Sequence, residues 1–163
     1  MSRQVFELET LLAQLIDEHK KLLAHVHKHQ AAMKSFDLKT MDEQARLEEA
    51  ARIRIAGMET RRKGLITAIA RAHRMTQMPT LPDIAAMYPQ SSAKLMKLRD
   101  ELKATIQSVQ TRTHIAGRVA AAVTGHLNTV MRLLAGAVEK AGIYTNQGIP
   151  RVSARIGVME AVG

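Results

Sequence analysis

Residues 91–148 read SSAKLMKLRDELKATIQSVQTRTHIAGRVAAAVTGHLNTVMRLLAGAVEKAGIYTNQG, and this stretch decides the fold. Apolar or small residues recur at Leu95, Leu98, Leu102, Ile106, Val109, Ala116, Ala120, Val123, Leu127, Val130, Leu134, Val138 and Ala141. Steps of three and four residues hold one face of a 3.6-residue turn, so the spacing predicts a single helix over about 91–141, longer than most globular helices. Ser91 or Ser92 supplies its N-cap, and Gly142, which carries no Cβ, supplies its stop. In the second half small residues replace large ones: Gly117, Ala121 and Gly125 recur every four residues, and Gly136 stands between Ala135 and Ala137. Each interior glycine costs about 1 kcal/mol relative to Ala. Two readings stay open: close packing against the rest of the chain, or a shallow groove for a partner helix with Leu127, Val130, Leu134 and Val138 as its apolar contacts.

Upstream, Pro79, Pro82 and Pro89 forbid a continuous helix between about 76 and 90. Pro82 followed by Asp83-Ile84-Ala85-Ala86-Met87 reads as a short helix over about 82–87 with Pro at its first position. Before this connector, Leu47, Ala51, Ile55, Met58, Leu65, Ile66, Ile69 and Ala72 mark a second long helix over about 40–75, opened by the capping-box pattern Thr40-Met41-Asp42-Glu43. Gly57 and Gly64 weaken it, so packing has to hold it together. The first helix, about 3–36, carries a heptad through Val5, Leu8, Leu12, Leu15, His19, Leu22, Val26, His29, Met33 and Phe36. Leu11, Ile16 and Leu23 widen that seam until it can face two helices at once. The expected fold is all-α: an antiparallel bundle of three long helices with a short connector helix, one domain over residues 1–142, and a C-terminal tail over 143–163.

Composition narrows the chemistry. Of 163 residues 46% are hydrophobic but only 2% aromatic, which fits helix-on-helix packing better than an enzyme pocket. Without cysteine there is no disulfide, thiolate zinc site or Cys nucleophile, as suits a reducing cytoplasm. The N-terminus places Glu7 and Glu9 where a signal peptide needs an apolar run, and no window approaches the ~20 apolar residues of a membrane span. The formal charge of +9 raises nucleic acid or an anionic membrane as a partner. Much of the excess lies between Ala51 and Met75, where Arg52, Arg54, Arg61, Arg62, Lys63, Arg71 and Arg74 face only Glu59. No aromatics interleave these arginines for base stacking, and helix-turn-helix and zinc-finger spacings are missing, so a basic helical nucleic-acid binder is the alternative and not the leading reading.

His25, His27 and His29, with His19 upstream, form the one metal-like cluster. On a helix His25 and His29 share a face, but His27 points away and Lys20, Lys21 and Lys28 make the area cationic; structural or exposed histidines are the reading, with no metal or cofactor. No nucleophile elbow, phosphate-cradling loop or dinucleotide fingerprint is present, so the chain is read as a non-enzyme.

The layout resembles the FlgN family of flagellar type III export chaperones over about residues 5–148. A leucine-rich first helix carries the likeness, with the Glu-x-x-Arg-x-x-Leu phrase of Glu59-Thr60-Arg61-Arg62-Lys63-Gly64-Leu65, the Pro-containing connector, and the Tyr-x-x-x-Gly of Tyr144 and Gly148. The resemblance implies a cytoplasmic chaperone that binds the C-terminal helices of the hook–filament junction proteins FlgK and FlgL and delivers them to the export gate. In that role Val123, Leu127, Val130, Leu134 and Val138, on the apolar face of the long helix, are the expected client contacts, and the resemblance points to Tyr144 as a docking residue for an export-gate component. Homodimerisation and the identity of the client stay open.

Overall fold

A computed structural model describes the backbone of residues 3–143 and side-chain burial as far as Ala137. The described residues form four helices and no strand: α1 Arg3–Ser35, α2 Leu38–Ala72, α3 Leu81–Met87 and α4 Pro89–Ile143. They divide into two units, Met1–Ala121 and Ala122–Gly163. In the first, α1 buries the predicted seam, with Val5, Leu8, Leu12, Leu15, Leu22, Val26 and Met33 at 5% exposure or less. Leu11 and Ile16 are buried as well, so the stripe is wide enough for two neighbours.

Two clusters use that stripe. One joins Val5, Leu8, Leu12, Leu15 and Ile16 to Ile66 and Ile69 of α2, Ile84 and Ala85 of α3, and Leu95 and Leu102 of α4. The other joins Leu22, Val26 and Met33 to Ala51, Val109 and Ala116. The start of α1 thus meets the end of α2, and its later turns meet the beginning of α2, which makes the two helices antiparallel. Ion pairs follow the same register: Arg54 Nε donates to Glu18 Oε1 at 2.6 Å, while Lys94 Nζ lies 2.7 Å from Glu9 Oε2 and Lys20 Nζ 2.7 Å from Glu101 Oε1. The Glu9 side chain is 1% exposed; the Lys94 ammonium approaches it outside hydrogen-bonding alignment, and neither carboxylate oxygen has a hydrogen-bond partner among the described residues.

Helix ends differ from the sequence expectation at six places. Phe36 leaves the α1 seam: it adopts φ 55°, is half exposed, and lets Asp37 N–H donate back to Ala32 C=O at 3.0 Å. Asp37, not Thr40, then caps α2; its carboxylate accepts from the Thr40 N–H at 3.1 Å and from the Thr40 hydroxyl. A carboxylate at this place satisfies orphan amides and meets the positive end of the helix dipole, and those hydrogen bonds hold the Asp37 pKa below its ordinary value. At the far end α2 stops at Ala72, three residues early, as Arg74 enters the left-handed region at φ 52°. Helix α3 starts at Leu81, capped by a reciprocal pair in which Thr80 N–H donates to Asp83 Oδ2 at 2.7 Å and Asp83 N–H to Thr80 Oγ1 at 3.4 Å; Pro82 sits in its first turn, where no donor is needed. Helix α4 begins at Pro89, ahead of the expected Ser91 or Ser92, and runs one residue past Gly142 to Ile143, which the sequence reading had assigned to the tail.

The glycines of α2 interrupt nothing. A Cβ added at Gly57 or Gly64 would meet no atom within 4 Å among the described residues, and α2 continues through both because α1 supplies the packing.

Candidate partner-binding face

At about 100° per residue around α4, the core positions Leu95, Leu102, Val109 and Ala116 and the later Val123, Leu127, Val130 and Leu134 share one arc of roughly 100°. Within the first unit that arc is buried, Leu95 at 0% exposure and Ala116 at 8%. Within the second, Val123 is half-buried, while Leu127 is 47%, Val130 37% and Leu134 58% exposed. Met131 and Leu133, at 64% and 70% exposure, widen the apolar surface on either side; the three-four stepping of the sequence passed over both, although their place beside the stripe was legible from helical geometry. Val138 belongs to α4, but its side chain lies outside the described residues, and so does Tyr144 altogether.

The small-residue stripe does not join this face. Gly117, Ala121, Gly125 and Gly136 fall on the opposite side of α4 from Leu127, Val130 and Leu134, roughly 160° away on average. A Cβ added at Gly117, Gly125 or Gly136 would meet nothing within 4 Å among the described residues. Among the described residues nothing packs closely on these glycines, and the two stripes lie on different sides of α4.

The charged and histidine groups serve the first unit. His25 Nδ1 lies 2.9 Å from Gln44 Oε1 and His29 Nδ1 2.8 Å from Glu48 Oε1, so both stitch α1 to α2, in accord with the structural reading of the cluster. Burial pushes the His19 pKa below its ordinary value, against the pull of Glu59 and Glu18. Burial would raise the Glu18 carboxyl, but hydrogen bonds from Arg54 and Lys21 overcome it and leave a net lowering. Two open clefts border α4, about 360 Å³ beside Leu81 and Ile106 and about 550 Å³ beside Leu23 and Ile115; neither lining includes a carboxylate. No helix among the described residues is long and apolar enough to cross a membrane. The chemistry offered at the α4 arc is burial of apolar surface against a matching surface.

No curated protein and no solved structure matches the chain. A family model described as FlgN protein matches residues 1–151 of the 163, taking in all four helices and the exposed arc of α4. This chain belongs to the FlgN family of flagellar export chaperones.

Proposed function

We propose that this chain captures the C-terminal amphipathic helices of hook–filament junction proteins of the FlgK and FlgL kind and delivers them to the export gate. The observation that carries the reading is the continuity of the α4 arc, buried as far as Ala116 and exposed at Leu127, Val130 and Leu134. A client helix laid on this arc exchanges water for apolar contact, as in other helix-in-groove complexes. Capture replaces the contacts that the client's terminal helix makes in the assembled flagellum, and no bond is made or broken. In this reading residues 1–142 act as one domain, an antiparallel bundle of three long helices in the cytoplasm, and Tyr144 in the following segment touches a gate component separately from the client. Titration calorimetry of the full chain with a peptide covering the last helix of a FlgK-like protein tests the proposal. Saturable binding with a negative heat-capacity change is expected, the mark of apolar burial; absence of binding overturns it.

A further inference from the structure

The basic stretch of α2 separates into two kinds of cation. Arg52 reaches Glu48 at 2.8 Å, Arg54 is held by the buried Glu18, and Arg62 reaches Glu59 at 2.8 Å. Arg61, Lys63, Arg71 and Arg74 have no carboxylate within 4 Å among the described residues. Between Thr60 and Pro82 the chain holds no Asp or Glu, and Glu59 and Asp83 flank the interval; Glu59 is taken by Arg62 and Asp83 by the Thr80 cap.

Two of the four share one line of α2, and Arg74 follows two residues past its end. Lys63, Thr67 and Arg71 are spaced i, i+4 and i+8 on α2 and therefore lie in one line on one face. The Thr67 hydroxyl lies 3.9 Å from Met78 Sδ, which sets a thioether over the middle of that line. Met78 is 56% and Met75 37% exposed. Arg74, in its left-handed conformation, lets Met75 N–H donate to Ala70 C=O at 2.9 Å and so turns the chain back beside α2. Lys63, Arg71 and Arg74 are all exposed.

We propose that this face of α2 is a docking surface for an acidic, amphipathic protein segment, its carboxylates paired with Lys63, Arg71 and Arg74 and an apolar side chain set against Met75 and Met78. Charge complementarity selects an acidic partner, and the methionines select one with apolar side chains, since thioethers adapt to varied shapes. A nucleic acid has no use for exposed methionines, and the aromatic rings nearby, His73 and Tyr88, are engaged edge-to-face with each other at 5.5 Å. A lipid surface is the poorer fit, because polybasic anchoring draws on clusters of about four to eight cations together with a larger inserted apolar face. The surface shares no residue with the α4 arc, so client capture can fail without affecting it, and the reverse.

Fluorescence anisotropy of the full chain with a short, fluorescein-labelled amphipathic helical peptide of Glu, Leu and Ala tests the proposal, with the same peptide carrying Gln for Glu as control. The Glu peptide is expected to bind and the Gln peptide not. The Lys63→Gln/Arg71→Gln double variant is expected to weaken binding about tenfold, and Met78→Asn several-fold. Arg61→Gln is the positional control, because Arg61 lines a different cleft with Phe6 and Glu7; it should change affinity by less than about twofold. Arg71 stands in the last turn of α2 and complements its dipole, so Lys63→Gln alone, with an unchanged circular dichroism melt, separates docking from stability. Equal loss in Arg61→Gln and Lys63→Gln, or no loss in either, overturns the proposal. So does tighter binding of phosphatidylserine vesicles or a single-stranded oligonucleotide than of the Glu peptide at ~150 mM salt.

Discussion

Leu95 and Leu134 occupy the same arc of α4 and differ in burial, 0% exposed against 58%. Replacing either with Ala keeps helix propensity, because Ala is the strongest helix former, so any difference between the variants reports packing. Leu95→Ala opens a cavity among Val5, Leu8, Ile69 and Ile84, at a cost of about 2–5 kcal/mol. In a chain of this length that corresponds to a fall in Tm of roughly 5–15 °C. Leu134→Ala removes a side chain that the fold leaves mostly in water, so the fold changes by less than about 0.5 kcal/mol and Tm by under ~2 °C. Full burial of a Leu contributes about 1.5–3 kcal/mol; with 58% of its surface still to be covered on binding, the client complex loses about 1–1.7 kcal/mol. Affinity then falls about fivefold to fifteenfold, and Leu134→Asp or Val130→Asp weakens it further by forcing a carboxylate against an apolar face. Thermal melts by circular dichroism, beside calorimetric titration with the terminal helix of a FlgK-like protein, measure both quantities. If Leu134→Ala lowers Tm as Leu95→Ala does, Leu134 is core and the exposed face does not exist. If Tm holds and affinity is unchanged, the client binds elsewhere.

Acid should destabilise the chain in two stages. The folded pKa of His19 lies below the ordinary 6.5 and that of Glu18 below 4.5, so the unfolded chain takes up each proton first as pH falls. Stability is therefore fully present above about pH 7.5, declines from near 6.5 as His19 contributes and again below 4.5 as Glu18 does; His19→Gln should remove the upper stage of a Tm-versus-pH curve, and its persistence would refute the assignment. Asp37→Ala should cost about 1 kcal/mol of stability, read as a shift in the urea midpoint, while Thr40→Ala costs less; the reverse order would restore Thr40 as the cap. Tyr144→Ala should leave Tm and client affinity nearly unchanged while secretion of the junction proteins drops. Unchanged secretion would remove Tyr144 from gate docking, and a Tm loss of several degrees would make its ring part of the fold.

The number, order and approximate lengths of the helices were legible in the sequence, because three-four apolar spacing and proline placement are local properties of the chain. Val5 through Met33 named the core face of α1, and Leu95 through Ala116 that of α4, before any packing was known. Helix ends were less legible. Asp37 and Thr40 are both good caps, and only the left-handed turn at Phe36 decides which of them meets the free amides of α2.

Periodicity also could not distinguish Leu95 from Leu134, since both satisfy the same repeat. What separates them is burial, 0% exposure for Leu95 against 58% for Leu134, and burial depends on partners drawn from anywhere in the chain. The same holds for charge. The sequence established a basic stretch from Arg52 to Arg74, but tertiary contacts decided that Arg54 is held by Glu18, 36 residues away, while Lys63 and Arg71 meet no carboxylate within 4 Å among the described residues. Hydrophobic pattern is written residue by residue along the chain; pairing and exposure are settled only when distant segments compete for the same surface.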